Sequence, residues 1–540
     1  MTTAAQTPVA QGQPALSLSD AGRFLRRASF GPSYADLTHL QEIGIERWFA
    51  EQFTAPRIDR HGDYILRGGP IGRRNGRQKP RRTFYETFYY QAAFGQDQLR
   101  QRMAYALSQI FVVSAEDPQL KIATHALGHY MDLLTDNALG NFRTLLGHVA
   151  TSPAMGEYLT FLRNRKENMQ TGRQPDENFA REIMQLFTIG LWELHPNGQF
   201  KQDASGYLIP TYGQDEIRGM ARVFTGWSWG GGPRTKAFWR GGGSPNGVKG
   251  RPWDKPLNYW PDEHEFGAKD IVSGVQIPAG SNALDSLNRA LDVLFNHPNT
   301  APFICRQLIQ RLVTSNPSPD YIYRVAQVFA DNGHGVRGDL SAVAVAILLD
   351  PEAWWPAGQV QTAGKLREPV LRLAQFLRTF GELGMFEAQD LGAAFAKIAK
   401  ALGQHPFEAP SVFNWYTPDF APPGEIADAG LAAPEFKLYD DGHVMGYADV
   451  VVKVVHRGVE LYQDWHSAQP RTYPSLGDLP ADPDRFVVLL NQLLCANTLS
   501  ADRIAIIRDA LAALPDTARE ERIWTGLALT MVSPEYMVEI

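Results

Sequence analysis

The stretch Pro175–Gly190 constrains the fold most. Phe179, Ile183, Leu186 and Phe187 fall at i, i+4, i+7 and i+8, the spacing of an apolar stripe along one side of a helix. Asn178, Arg181, Glu182 and Gln185 fall on the other side at i, i+3, i+4 and i+7. The pattern predicts one helix over 176–193, capped by Asp176, with a buried face and a charged, amide-bearing face. Such a helix has to lay its stripe on further elements.

Those elements are also helical. Apolar periodicity of about 3.6 predicts helices from Ser19 or Asp20 to near Gly31 and from about Ser33 to Ile43. It recurs over 84–113, 119–135, 141–150 (capped by Asn141) and from Tyr212 to Gly226. Helices resume at 284–296, 300–314, 318–332, 339–349, 364–384 and 388–402, and again at 445–462, 484–496, 500–513 and 518–533. The exception is an insert over 226–282, rich in glycine and holding Trp227, Trp229, Trp239, Trp253 and Trp260. It lacks helical period, so only short β-hairpins, or none, are expected there. A proline- and aromatic-rich loop covers 404–424, and a basic loop covers 66–82. The fold class expected is mainly α: a multi-helical globular array, one large domain over 18–540 behind a flexible tail at 1–17.

Composition removes several classes. Of 540 residues, 44% are apolar and 20% charged, as in a folded chain rather than a disordered one. A net charge of −6 gives no general affinity for nucleic acid. Two cysteines, Cys305 and Cys495, lie in apolar helical patterns and read as buried thiols, not a disulfide framework or a zinc site. No run of 18 apolar residues predicts a membrane span. The polar start lacks the basic and apolar regions of an export leader, so the chain reads as cytoplasmic. A chain whose leader has been cut away would read the same and be periplasmic or secreted.

Several segments in order carry a family resemblance: Arg23–Gly31, Arg102–Phe111, Glu177–Glu182, Ala221–Trp227, His264–Lys269, His297-Pro298 with Arg306, Lys365–Pro369, and Gly403 through Trp415. Together, over about 20–535, they resemble the bacterial family catalogued as domain of unknown function 1800 (DUF1800). The resemblance implies a mainly helical fold and supplies no activity. Family members often carry export signals and are often encoded beside a sulfatase-like family, which makes a sulfatase-like protein the partner implied. Where the family commonly has aspartate after the loop histidine, this chain has Glu265, a carboxylate one carbon longer.

The chemistry-bearing groups fall into a few constellations. On the polar helix face Glu177 pairs with Arg181, and Asn178 with Glu182, at i,i+4. In a cleft Glu177 or Glu182 would serve as general acid or base, and Arg181 and Asn178 would hold substrate. The bland alternative is a solvated face with a surface ion pair. His264, in the run Asp262–Glu265, suits proton transfer or, with Glu265, a divalent cation; its spacing matches no named metal motif. Trp227, Trp229 and Trp260 would stack on sugar rings as a platform, or else pack a satellite core. Gly226–Gly230 fits G-x-S-x-G without the strand and helix that a nucleophile elbow needs. The basic loop offers oxyanion contacts or plain solvation, and Arg367, at the start of a helix, is a further substrate contact or a structural charge.

Three expectations follow. The first is an enzyme working on a carbohydrate or other hydroxyl-rich small molecule by carboxylate and histidine acid–base chemistry, hydrolase-like, without a cofactor. The second is a non-catalytic binding or assembly partner of a sulfatase-like protein. The third is a metal-dependent enzyme using His264 and nearby carboxylates.

Overall fold

Glycines cut the long periodic runs into shorter rods. The computed structural model describes residues 16–68, 80–241, 251–354, 363–381, 391–459 and 471–540. The run expected as one helix over 84–113 is two, Pro80–Phe94 and Gln98–Ser108. They part at Gly95, where a Cβ would stand 2.6 Å from the Gln91 carbonyl oxygen. The helix expected to end at Gly44 instead continues as Tyr34–Thr54, with a kink at that glycine (φ 76°). The first helix begins one cap earlier than expected: Ser17 accepts from the Asp20 N–H at 3.0 Å. Asn141 caps its helix as expected, accepting from Arg143 N–H at 2.9 Å. Most of the tail and of the basic loop lie outside the described residues; the loop's edges are helical, in His61–Arg67 and Pro80–Phe94.

The described residues form 23 α-helices and three two-stranded antiparallel ladders, a mainly α fold. One continuous apolar cluster holds residues from Ala21 to Tyr536. The ladder Lys365–Leu366 with Val538–Glu539 ties the end of the chain to its middle. The insert is irregular, as expected. Trp227–Ser228 pairs with Asn258–Tyr259, and Lys269–Ile271 pairs with Val275–Ile277 as a hairpin. Cys305 and Cys495 are buried and free, and burial pushes both thiols up, Cys495 to about 12. Among the described residues no helix is long and apolar enough to cross a membrane.

The core is also charged. Lys365 pairs with Glu435 at 2.8 Å, both buried, and donates to the carbonyls of Gln310 and Arg311 at 2.7 and 3.0 Å. Arg102 donates to the same Arg311 carbonyl at 2.6 Å. Glu368 accepts from Tyr105 at 3.2 Å, from Gln109 at 2.6 Å, and from Gln404. Arg27 pairs with Glu539 at 3.2 Å. Arg367 belongs to this interior and lines none of the described cavities: it donates to the Tyr536 carbonyl at 3.3 Å and faces the Tyr536 ring. This places it as a structural charge rather than a substrate contact.

Removing one member of a buried pair strands the other, at ~3–5 kcal/mol. Lys365→Met should therefore lower the thermal midpoint sharply, and the double variant with Glu435→Leu should recover part of the loss, the Gln310 and Arg311 carbonyls still lacking the lysine. Circular dichroism melting checks this; a single variant that melts like the wild type contradicts it.

Candidate functional site

The central motif helix is shorter than its sequence pattern. It runs Asn178–Gln185, eight residues, with Glu177 rather than Asp176 at the N-cap. Asp176 still contributes, accepting from the Asn178 N–H at 2.9 Å. Phe179 packs against Phe161 at 4.2 Å and Phe224 at 4.7 Å, so the apolar stripe is buried as expected. The helix ends where the N–H groups of Ile189 and Gly190 both donate to the Met184 carbonyl, at 2.9 and 3.0 Å. Gly190 takes φ 72°, and a Cβ there would lie 2.8 Å from the Phe303 ring. Only glycine allows this turn to approach so closely.

Residues 191–211 then form a narrow double-turned arm, bridged at Trp192–Pro210, Leu194–Phe200 and Gln202–Leu208. Asn299 clamps its base: its side chain accepts from Leu194 N–H at 2.9 Å and donates to the carbonyls of Ile189 and Trp192 at 2.8 and 2.9 Å. The sequence held a signal for this arm, the turn formers Pro196-Asn197-Gly198 and Asp203–Gly206.

Between the turn, the base of the arm, the helix Thr300–Leu312 and the loop 412–419 lies a cleft of about 410 Å³. Its mouth exposes Leu191, Trp192, Phe200 and Phe413, each 37–50% accessible. Its polar lining includes Gln109, Arg306, Gln307, Gln310, Arg311 and Asp419. Arg311 is buried and locked, donating through its two terminal nitrogens to the carbonyls of Gln307 (3.0 Å) and Gln109 (3.1 Å). Four buried polar atoms on these residues have no protein partner: Gln109 Oε1, Gln307 Nε2, Gln310 Oε1 and Arg311 Nε. Unpaired buried polar groups are costly, and a volume of this size suits a small molecule that pairs them.

The expected site residues are distributed differently. Glu182 is buried, its Oε2 has no partner, and burial pushes its carboxyl above the usual range, with Arg181 pulling the other way. Two tyrosines share its surroundings. Burial first, and then the Glu182 charge, pushes Tyr212 up to about 12; burial, Asp117 and Glu182 push Tyr158 up to about 12. The Tyr212 hydroxyl is also unpartnered. Glu182 does not itself line the cleft; it sits one turn before Gln185 and Leu186, which do. Glu177 and Arg181 form their i,i+4 pair at 3.4 Å, part-exposed, and Gln214 donates to both Glu177 oxygens at 3.1 and 2.9 Å. Asn178 is exposed and touches Thr160 at 3.5 Å instead of Glu182. This polar face is therefore largely the solvated one.

His264 belongs to a separate assembly. Its Nδ1 lies 2.9 Å from the Thr225 carbonyl and 3.2 Å from the Thr225 hydroxyl, and burial pushes the imidazole below its usual value. Glu265 turns back on its own loop, accepting from Gly267 N–H at 2.9 Å. Among the described residues no three histidine, cysteine or acidic side chains stand where a metal ion would be held. No described cavity or bond joins His264 to Glu177 or Glu182. Trp227, Trp229 and Trp260 are at most 9% exposed, and Trp229 packs edge-on against Trp253 at 4.9 Å. They are part of the continuous core; the aromatic rings exposed at the mouth of the cleft are Trp192, Phe200 and Phe413. Ser228 is buried and donates to the Trp239 carbonyl at 2.7 Å.

The family model described as protein of unknown function (DUF1800) matches residues 23–538. The chain belongs to the DUF1800 family. No curated protein and no solved structure matches it. Three of the segments that carry the DUF1800 resemblance line the cleft, and a fourth ends just before it. Gln109 and Ile110 come from Arg102–Phe111, Gln185 and Leu186 follow Glu177–Glu182, Arg306 is itself one of the marks, and Val412 and Phe413 come from Gly403–Trp415.

A carboxyl whose folded value is raised holds its proton when the unfolded chain has already lost it. The native state is then penalised as pH rises above the unfolded value, near 4.5 for Glu182. Glu182→Gln lacks that penalty. Its thermal midpoint relative to wild type should therefore rise between pH 4 and pH 8 in paired melts; a difference independent of pH contradicts the burial of this charge.

Proposed function

We propose that the DUF1800 protein is an enzyme that takes a hydroxyl-rich small molecule, sugar-like in having one flat apolar face, into this cleft. The observation that carries the reading is the pairing of exposed rings at the mouth with unpartnered buried amides below. Trp192, Phe200 and Phe413 offer flat apolar surface to the C–H face of a sugar ring. The amides of Gln109, Gln307 and Gln310 offer donors and acceptors to hydroxyls. Proton transfer falls to Glu182, whose carboxyl burial pushes above the usual range and which stands one helical turn before the cleft-lining Gln185 and Leu186. Asp419 is the carboxylate in the lining itself. A hydrolase-like reaction on this ligand class uses such an acid; His264 and the buried tryptophans support the fold.

A second reading has one observation behind it. The arm leaves Leu191, Trp192, Phe200 and Tyr207 exposed, Tyr207 at 74%, which suits docking to another protein such as the sulfatase-like partner.

Calorimetric titration with a panel of neutral mono- and disaccharides separates the two. The enzyme reading expects saturable binding, weakened at least about tenfold by Trp192→Ala with the thermal midpoint unchanged, and turnover lost in Glu182→Gln. No saturable binding by any sugar would leave the docking reading in its place.

A further inference from the structure

The charges around the cleft do not balance. On the helix Thr300–Leu312, Arg306, Gln307, Gln310 and Arg311 fall at i, i+1, i+4 and i+5 and all face the cleft. Arg306 is half-buried and makes no hydrogen bond or ion pair with the described residues. Burial holds its guanidinium below the usual value, and the one acidic group acting against that is Asp419, exposed on the opposite wall. Behind the floor, Glu435 is taken by Lys365, and Glu368 by Tyr105, Gln109 and Gln404. Arg102 and Arg311 spend their bonds on backbone carbonyls. In the lining itself two cations, Arg306 and Arg311, thus face one anion, Asp419, and Arg306 has no ion pair among the described residues.

The donors left over point the same way. Arg311 Nε and Gln307 Nε2 are buried and unpartnered, and Arg311 cannot swing away because its other two nitrogens are fixed. Gln307 is 7% and Arg311 5% exposed, so water gives them little relief. Planar guanidinium groups match oxyanions with two parallel bonds, and such charge-assisted bonds are about twice as strong as neutral ones. A neutral sugar would pair the amides and leave the cationic excess standing.

We propose that the natural ligand of this cleft carries an acidic group, a carboxylate, sulfate or phosphate oxyanion, held by Arg306 with Gln307 and the fixed guanidinium of Arg311. The inference rests on the cleft being the ligand site and adds the class of ligand. The acid lies against the Thr300–Leu312 helix while the apolar face rests on the rings at the mouth. An acidic sugar fits both halves.

The test is calorimetry on the whole protein with glucose, glucuronate, glucose 6-sulfate and glucose 6-phosphate. At least one acidic member should bind about tenfold or more tightly than glucose, and which one does so identifies the oxyanion. Arg306→Gln should erase that preference with no change in thermal midpoint, since Arg306 bonds to none of the described residues. Gln307→Glu, which places a negative charge of nearly the same shape in the cradle, should weaken the acidic ligands by a larger factor than it weakens glucose, which loses one donor only. Equal affinity for glucose and all three acids overturns the proposal while leaving the cleft as a sugar site. A preference that survives Arg306→Gln overturns it too, and binding of none of the four overturns the cleft reading along with it.

Discussion

The last carbonyls of the helix Thr300–Leu312 end inside the protein, among buried residues, and the floor of the cleft follows from how they are satisfied. A helix terminus leaves its final C=O groups without intrahelical partners, and the dipole makes that end negative. Lys365 and Arg102 supply the hydrogen bonds and the positive charge, at 2.6–3.0 Å from the Gln310 and Arg311 carbonyls. Two buried cations then require anions: Glu435 comes from 70 residues on to pair with Lys365, and the charge of Glu368 acts on Arg102. Glu368 in turn draws in Tyr105, Gln109 and Gln404. The result pins the helix, the end of Gln98–Ser108, the Lys365 strand and the loop before Trp415 to one another in a fixed register.

That register forms the cleft. Gln109 and Arg311 are at once members of the ionic interior and part of the cleft lining. The opposite wall is set by a second long-range device, Asn299, which holds the Gly190 turn and the arm with three hydrogen bonds. A rigid floor with unspent donors and a mouth of exposed rings is what a preorganised binding site requires, because groups already fixed lose little entropy when a ligand arrives.

Much of this was legible in the sequence. Periodicity located the helices and named the stripe Phe179, Ile183, Leu186 and Phe187, of which Leu186 proved part-buried at the cleft, and the ordered motifs named the family. The site was less legible, for physical reasons. A count of tryptophans says nothing about which side of an irregular segment faces inward, and Trp229 proved to be packed on Trp253 within the insert. The i,i+4 rule put Glu177 beside Arg181 correctly but could not tell that Glu182, one residue on, is buried without a hydrogen-bonding donor. Arg367 read as a charge at a helix start; its partners at Tyr536 and Glu539 are about 170 residues away and carry no local signature. Asn299 and Gln109 bond groups a hundred or more residues distant, and no short spacing reveals such contacts. The arm at 191–211 was readable from its turn residues, yet the helical period just before it masks the boundary.

The central claim is that this DUF1800 protein acts through the cleft beside the Thr300–Leu312 helix rather than through the His264 loop. Anomalous diffraction from crystals soaked in selenate, a heavy mimic of sulfate, addresses it directly. The account predicts a selenium peak in the cleft within hydrogen-bonding distance of Arg306 and Gln307. A cleft free of selenium, with the strongest peak instead beside His264 and Lys269, would contradict it.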